Sequence, residues 1–426
     1  MSHESSPATL PEGWIEKELG DVCLKVSKID PLDLNREIFK YVDIGSIDSA
    51  TNSVASPQIL SVKDAPGRAR QLIQEGDTVF STVRPYMKNI AYINESLDGE
   101  IASTGFCVIR PNPKIVSKGL IKFFSISDNL LEQILPLQRG VSYPAVRDKD
   151  LFSASILVPS SLEQVKIVEI LEEQLSRLDS ALDSVRVVRE KAVRFRRSLL
   201  HAAFTGLLTS HDTLPGELPE GWVQKQLVDV CLKVSKVDPL ELNRETFKYV
   251  DIGSIESETN SVESPQVLSV KDAPGRARQL LHQGDSVFST VRPYLKNIAY
   301  INDALDGEIA STGFCVIRPN PKLVSACLLK FFVISDNLLD QILPLQRGVS
   351  YPAVRDREVL SALINLPPPA EQQKIVEILE EQLSRLNGSL AIADVIEKKA
   401  SALRRSLLHA AFTGELTKEW REGIYV

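Results

Sequence analysis

"SSLEQVKIVEILEEQLSRL" runs from Ser160 to Leu178, and a close copy of it follows the triplet Pro367, Pro368 and Pro369. Apolar residues recur at Val168, Leu171, Leu175, Leu178, Leu182 and Val185, steps of three and four that draw one stripe along a helix. Val376, Leu379, Leu383, Leu386, Leu390 and Ala393 repeat the stripe in the copy. Ser161 followed by Gln164 fits a capping box, and proline opens the second helix. At 1.5 Å per residue, a helix of about forty residues spans roughly 60 Å, far more than one globule requires. Neither helix can bury its stripe alone, so these twelve residues form the predicted helix-pairing set. Beyond them each stripe meets a charge, Arg189 and Glu397. Apolar residues resume early, at Val188, Ala192, Phe195 and Leu199 and at Ile396, Ala400, Leu403 and Leu407, which predicts a stammer that overwinds the coil.

The copied helix belongs to a copied half-chain. An offset of 208 relates Trp14 to Trp222, Arg84 to Arg292 and Gly206 to Gly414 with no insertion, and "LQRGVSYPAVRD" stands unchanged at Leu137–Asp148 and Leu345–Asp356. That period is far beyond the 20 to 50 residues of solenoid repeats, so each half is a domain-sized unit. Ahead of each helix, "FKYVDIGSI", "DTVFST", "NIAYIN", "FCVIRPNP" and "ASILVP" are short runs rich in β-branched and aromatic residues and bounded by turn formers. They read as strands, and "GLIKFFSISDNLLEQILPL" reads as one helix. The predicted fold class is α+β: two globular mixed α/β domains and two long antiparallel coiled-coil helices, in a pseudo-twofold symmetric internal duplication. The link "LLTSHDTLPGELPEGW" is too short for parallel helices carrying both globules at one end.

Composition excludes several classes. With 43% hydrophobic and 25% charged residues the chain is of ordinary globular type. No apolar run approaches the length of a membrane span, and the start lacks the basic and apolar regions of a signal peptide. The expectation is a cytoplasmic protein with no membrane partner. Five cysteines, none in a C-x-x-C pair, argue for free thiols and against zinc ribbons. His201 and His409 recur without acidic or cysteine partners and read as packing residues. A net charge of −7 leaves no bulk attraction for nucleic acid, so any DNA contact must come from local basic patches. No G-x-x-x-x-G-K-[ST] loop is present, and "RPNP" at Arg110 lacks the Asn-Pro-Pro-aromatic order of an adenine methyltransferase. No catalytic residue, metal site or cofactor site is expected in this chain.

"LPEGW" opening each globule, "GDTVFSTVRPY" at Gly76, "PPPAEQQKIVEIL" from Pro367 and "FTGELTKEWR" closing the second helix occur in this order over nearly the whole chain. In these motifs the chain resembles the specificity subunits of type I restriction-modification enzymes. The resemblance implies a tail over 1–10, a target recognition domain over 11–160, a central helix over 161–208, a linker over 209–218, a second target recognition domain over 219–368, a second helix over 369–415 and a tail over 416–426. It implies that each domain reads one half of a bipartite site on double-stranded DNA, while the helices set the spacer and dock two methyltransferase (M) subunits. Restriction/translocase (R) subunits would join for cleavage. S-adenosylmethionine would then belong to the methyltransferase subunits and ATP with magnesium to the restriction subunits, this chain being a non-catalytic part of an adenine-N6 methyltransferase and endonuclease complex. The family's two recognition domains usually differ in sequence. Here they nearly coincide, which predicts an inverted-repeat target.

The residues suited to such reading are basic and aromatic and lie near turn formers. "PGRAR" supplies Arg68 and Arg70, with mates Arg276 and Arg278, and "STVRPYMKN" supplies Arg84, Tyr86 and Lys88, with mates Arg292, Tyr294 and Lys296. The repeated twelve-residue stretch adds Arg139, Ser142, Tyr143 and Arg147, with mates Arg347, Ser350, Tyr351 and Arg355. Arginine can fork onto guanine, whereas lysine, serine and tyrosine commonly hold phosphates. Arg84 and Arg110, each before a proline, could instead bind a carboxylate, and Tyr143 could be core. Two other function classes fit the same letters: a stand-alone sequence-specific DNA-binding protein, and a coiled-coil scaffold for protein interaction.

Overall fold

Thr78–Ser81 is buried at all four positions because its sheet is covered on both faces. That sheet runs in the order Cys23–Leu24, Phe106–Pro111, Thr78–Ser81, Ile90–Tyr92, with antiparallel pairing throughout. On one side Val79, Ala91, Phe106 and Val108 pack against Val42, Ile73 and Ala102. These lead to a mixed sheet ordered Gln58–Ser61, Ile38–Val42, Ile101–Ser103, Ala69–Leu72, in which Ile38–Val42 and Ile101–Ser103 run parallel. On the other side Phe80, Ile90, Cys107 and Ile109 meet helices. A two-stranded sheet of Ile15–Glu18 and Ser155–Val158 ties the start of the globule to its end.

This computed structural model describes residues 10–210 and 217–423, so the expected tail before Leu10 and the middle of the expected linker lie outside the described residues. The chain forms two compact units, one of Met1–Val185 with Val395–Val426 and one of Arg186–Asp394.

In the first unit the helices are α1 (Lys118–Ile126), α2 (Asp128–Ile134), α3 (Asp148–Phe152) and the start of α4 (Ser161–Thr205). The single helix expected over "GLIKFFSISDNLLEQILPL" is thus divided. Buried Ser127 is the break: its backbone is extended, and its hydroxyl donates back to the Phe124 carbonyl at 2.7 Å.

The second unit repeats the architecture with α5 (Leu227–Val230), α6 (Ala326–Ile334), α7 (Asp336–Ile342), α8 (Asp356–Leu360) and the start of α9 (Pro369–Thr413). The last described helix, α10 (Lys418–Glu422), belongs to the first unit and lies where the sequence reading placed a tail.

Within the first unit the start of α4 packs against the end of α9: Ile167, Leu171 and Leu175 share a core with Leu408, Ala411 and Phe412. Phe412 meets Phe124 edge to face at 5.2 Å, a pair worth about 0.5–1.5 kcal/mol beyond its burial. Further along α4, Asp179 pairs with Arg404, so rising numbers on one helix meet falling numbers on the other and the segments run antiparallel. The second unit is built likewise, with Leu199, Ala203 and Phe204 of α4 sharing a core with Ile375 and Leu379 of α9.

The stammer expected at Arg189 and Glu397 is absent. Buried and half-buried positions continue through Val185, Arg189, Ala192, Arg196, Leu199 and Ala203, in unbroken steps of four and three, while Val188 and Phe195 are exposed. In α9 the series is Ala393, Glu397, Ala400, Arg404, Leu407 and Ala411, with Ile396 and Leu403 exposed. Long charged side chains occupy seam positions by laying their stems along the groove and turning their heads to polar partners. Arg189 reaches Asp394, and Arg196 donates to Asn260 Oδ1 at 3.0 Å. Burial lowers the pKa of Arg196.

The repeated motifs also have physical explanations. Trp14 Nε1 donates to Glu163 at 2.9 Å and Trp222 Nε1 to Glu371 at 3.0 Å, joining "EGW" to the glutamate of "EQ". Gln164 does not close the expected capping box. Its amide accepts from the Ser117 N–H at 2.8 Å and donates to the Ile115 and Pro159 carbonyls, and Gln372 does the same for Ser325, Leu323 and Pro367. Gly206 and Gly414 end the long helices at φ 84° and 82°. A Cβ there would meet Pro219 or Pro11, so "FTG" requires glycine for contact as well as conformation.

Candidate nucleic-acid interface

After strand Thr78–Ser81 the chain enters a tight turn, Pro85–Met87, flanked by Arg84 at φ 49° and Lys88 at φ 52°. Both flanking residues are left-handed without being glycine, and the mates Arg292 and Lys296 repeat this at φ 49° and 52°. Such a conformation costs on the order of 1 kcal/mol or more per residue and persists only where neighbours enforce it. At the first position the Arg84 N–H donates to the Pro144 carbonyl at 2.7 Å. Its guanidinium donates to the Ser142 carbonyl at 3.2 Å and lies 4.7 Å over the Tyr143 ring. Arg292 makes the matching contacts with Pro352, Ser350 and Tyr351, the ring at 4.6 Å. Among the described residues no carboxylate binds either arginine. Tyr86 and Met87 project from the turn, each about half exposed.

The partner segment is a small hairpin within the repeated stretch. Arg139 and Ala145 exchange backbone hydrogen bonds at 2.9 Å, and Val83 bridges Ala145, so the tip 140–144 stands beside the turn. Gly140 opens it at φ +94°, where a Cβ would press on the Tyr143 carbonyl at 3.2 Å. At the tip Val141 is 100% exposed and Tyr143 70%, so Tyr143 is not core. Arg139 and Arg147 flank the tip and converge on Asp150, at 3.2 and 3.1 Å. Hydrogen bonds from the Arg147 side chain and backbone hold the Asp150 carboxyl well below the usual carboxylate range. In the second unit Arg347 pairs with Glu358 at 2.9 Å, while Arg355 meets Glu358 through its backbone N–H at 2.8 Å.

The remaining sequence candidates divide by partner. Arg68 and Arg276 are exposed and make no ion pair among the described residues. Arg70 and Arg278 lie in strands rather than loops and face Asp30 and Asp238 at 3.4 and 3.6 Å. Lys88 is paired with Asp128 at 2.9 Å, and Lys296 with Asp336 at 2.6 Å. Arg110 took the other path open to an arginine before proline: it grips buried Asp77 through two nitrogens at 2.6 and 2.8 Å, and Arg318 grips Asp285 at 2.7 and 2.9 Å.

Sequence reasoning passed over Val141 and Val349, which look like strand residues yet stand fully exposed. The Gly before and the Pro two residues after Ser142 were the available signal of a tip. It also passed over Asp128 and Asp336, because the single-helix reading set Asp128 in mid-helix, whereas both residues begin a new helix in the structure.

The cysteines are free, and burial pushes the Cys23 and Cys231 thiols up to about 12. Among the described residues no group of three or more His, Cys, Asp or Glu could hold a metal ion, and no helix is long and apolar enough to cross a membrane.

Two sheet-rich domains, each presenting one basic-aromatic turn and one apolar-tipped hairpin, have the character of paired nucleic-acid readers. The family model for the type I restriction modification DNA specificity domain matches residues 11–182 and again 219–393, and the chain belongs to this family of specificity subunits. The HindI specificity subunit of Haemophilus influenzae is 30% identical over 160 residues, 37% of this chain and 34% of that protein. The EcoKI specificity subunit of Escherichia coli K12 is 23% identical across 98% of this chain and 92% of that protein. Among solved structures, the HsdS subunit from Thermoanaerobacter tengcongensis aligns at TM-score 0.59 with 27% identity, over 96% of this chain and 99% of that one. A chain from work on complex assembly and conformational transition of the type I R-M system aligns at TM-score 0.73 with 27% identity, over 96% of this chain and all of that one.

Proposed function

We propose that this specificity subunit reads the same half-site with each of its two units, and so directs its complex to an inverted-repeat DNA target with a fixed, non-specific spacer. The reading rests above all on one observation: the turn at Arg84 and the tip at Tyr143 recur at Arg292 and Tyr351 with the same stacking and the same left-handed backbone. Arg84, Tyr86, Ser142 and Tyr143 would form the base-reading group, with Arg68, Arg139 and Arg147 on flanking phosphates and Arg70 and Lys88 beside them. Their mates would do the same on the second half-site. An arginine forked onto guanine supplies about 1–3 kcal/mol of discrimination, and preorganisation by a tyrosine stack lowers its ordering cost.

With a net charge of −7, the chain has few cations to spare for phosphates. Two methyltransferase subunits would supply further DNA contacts, S-adenosylmethionine and the transfer to adenine N6, and restriction subunits would supply ATP-driven cleavage. This chain would contribute the address and no bond chemistry.

Methylome sequencing of a host expressing the chain with its methyltransferase partner tests the reading. The expected result is N6-methyladenine at an inverted repeat with a constant spacer, lost when this chain is deleted. An asymmetric motif would mean that the few differences between the units, such as Gln74 against His282, change what is read. A methylation pattern indifferent to the chain would refute the role.

A further inference from the structure

The reading turn has two strained ends, and the end at Arg84 is held by the hairpin tip. The other end is held by a carboxylate. Lys88, left-handed at φ 52°, sends its Nζ to Asp128 Oδ1 at 2.9 Å, and Lys296 sends its Nζ to Asp336 Oδ1 at 2.6 Å. In the second unit the other oxygen of Asp336 accepts from Arg197 Nε of α4 at 2.6 Å. In the first unit Arg405 of α9, the mate of Arg197, lines one cavity together with Lys88 and Asp128.

A carboxylate beside a DNA-reading turn repels phosphate, and a lysine paired to it is withdrawn from the backbone contacts that lysine usually makes. Both units nevertheless place the same pair at the same strained position.

We propose that Asp128 and Asp336 are positioning residues for sequence reading: through Lys88 and Lys296 they fix the left-handed end of the turn that carries Arg84 and Tyr86, or Arg292 and Tyr294. In the second unit Arg197 ties the same carboxylate to the long helix. The lysines then act as tethers, and their charge is spent on the carboxylate. This inference rests on the DNA-reading role proposed above.

The test uses the complex assembled with its methyltransferase subunits. Binding is measured to a duplex carrying the methylated motif and to one with a single half-site base pair changed, across about 50 to 200 mM salt. The double variant D128N/D336N is expected to keep the wild-type Tm and lose about tenfold in discrimination, the scale of one base contact. It should bind the altered duplex more tightly, with a salt slope steeper by up to roughly 0.9 for each lysine released. K88M/K296M should lose discrimination with the slope unchanged, and K88R/K296R should retain both. The proposal is overturned if D128N/D336N discriminates like wild type, or if K88M/K296M flattens the slope while keeping discrimination, which would make the lysines phosphate contacts. Loss of Tm in both the Asn and Met variants would also overturn it, since the pair would then support the fold alone. A wild-type complex that distinguishes no duplex would refute the reading role itself, a different result from any of these.

Discussion

Arg84 and Arg110 both precede proline, yet one stacks on an exposed tyrosine and the other is locked to a buried aspartate. Their removal should separate accordingly. Arg110→Ala leaves Asp77, 1% exposed, without its cation, and breaking a buried pair in this way costs about 3–5 kcal/mol. Urea unfolding should show that loss. Arg84→Ala together with Arg292→Ala should leave the unfolding free energy within about 1 kcal/mol of wild type and abolish discrimination at one base pair of each half-site, read by competition binding. From sequence these two arginines were indistinguishable, because the deciding neighbours, Tyr143 and Asp77, lie 59 and 33 positions away in opposite directions. Lys88 shows the same limit: its residue type suits phosphate, whereas its bound partner is a carboxylate.

The elements were more legible than their boundaries. Strands rich in Val, Ile and Phe announced themselves, as did the long helices, because a stripe at three- and four-residue steps has few other uses. Strands Ala69–Leu72 and Gln58–Ser61 did not, since they carry Arg70, Gln58 and Gln71 at positions where pairing and partial exposure override propensity. The seam was misread for a related reason. Counting apolar letters skips Arg189 and Arg196, although a long aliphatic stem serves a seam well enough.

Three glycines offer tests at this scale. Gly388 lies inside α9 with nothing near its absent Cβ, so Gly388→Ala should stabilise the protein by about 1 kcal/mol, visible as a raised Tm. Gly140→Ala with Gly348→Ala should act in the other direction. At φ +94° and +96°, with the Tyr143 or Tyr351 carbonyl 3.2 or 3.1 Å from the new Cβ, the tips must deform. DNA discrimination should fall while stability drops by no more than the strain of an exposed loop, about 1–3 kcal/mol per site.

At the scale of the whole molecule, duplication was the plainest message of the sequence and carries the functional argument. Identity concentrates around the reading turn: between Ser61–Ile90 and its copy only five of 30 positions differ. One of the five, His282, turns its Nδ1 to Asp306 at 3.2 Å, a contact outside the turn and the tip. Gln74→His should therefore leave the methylated motif unchanged, which methylome sequencing of the variant checks. What the sequence could not convey was how the units divide the chain, because each recruits a helix segment from the other half.

That division gives the two units different histories as the chain is made. The second unit, Arg186–Asp394, is one unbroken stretch, whereas the first is drawn from both sides of it. On the ribosome the second unit can close as soon as Asp394 has cleared the exit tunnel, since domains fold as they emerge. The first must wait for Leu408, Phe412 and the Arg421 that reaches Glu163. Protease challenge of stalled nascent chains should find the later-made unit resistant first. The other unit should stay open to cleavage until Arg421 has emerged, so a ribosome that stops before that point releases a protein with one finished reading head and one unfinished.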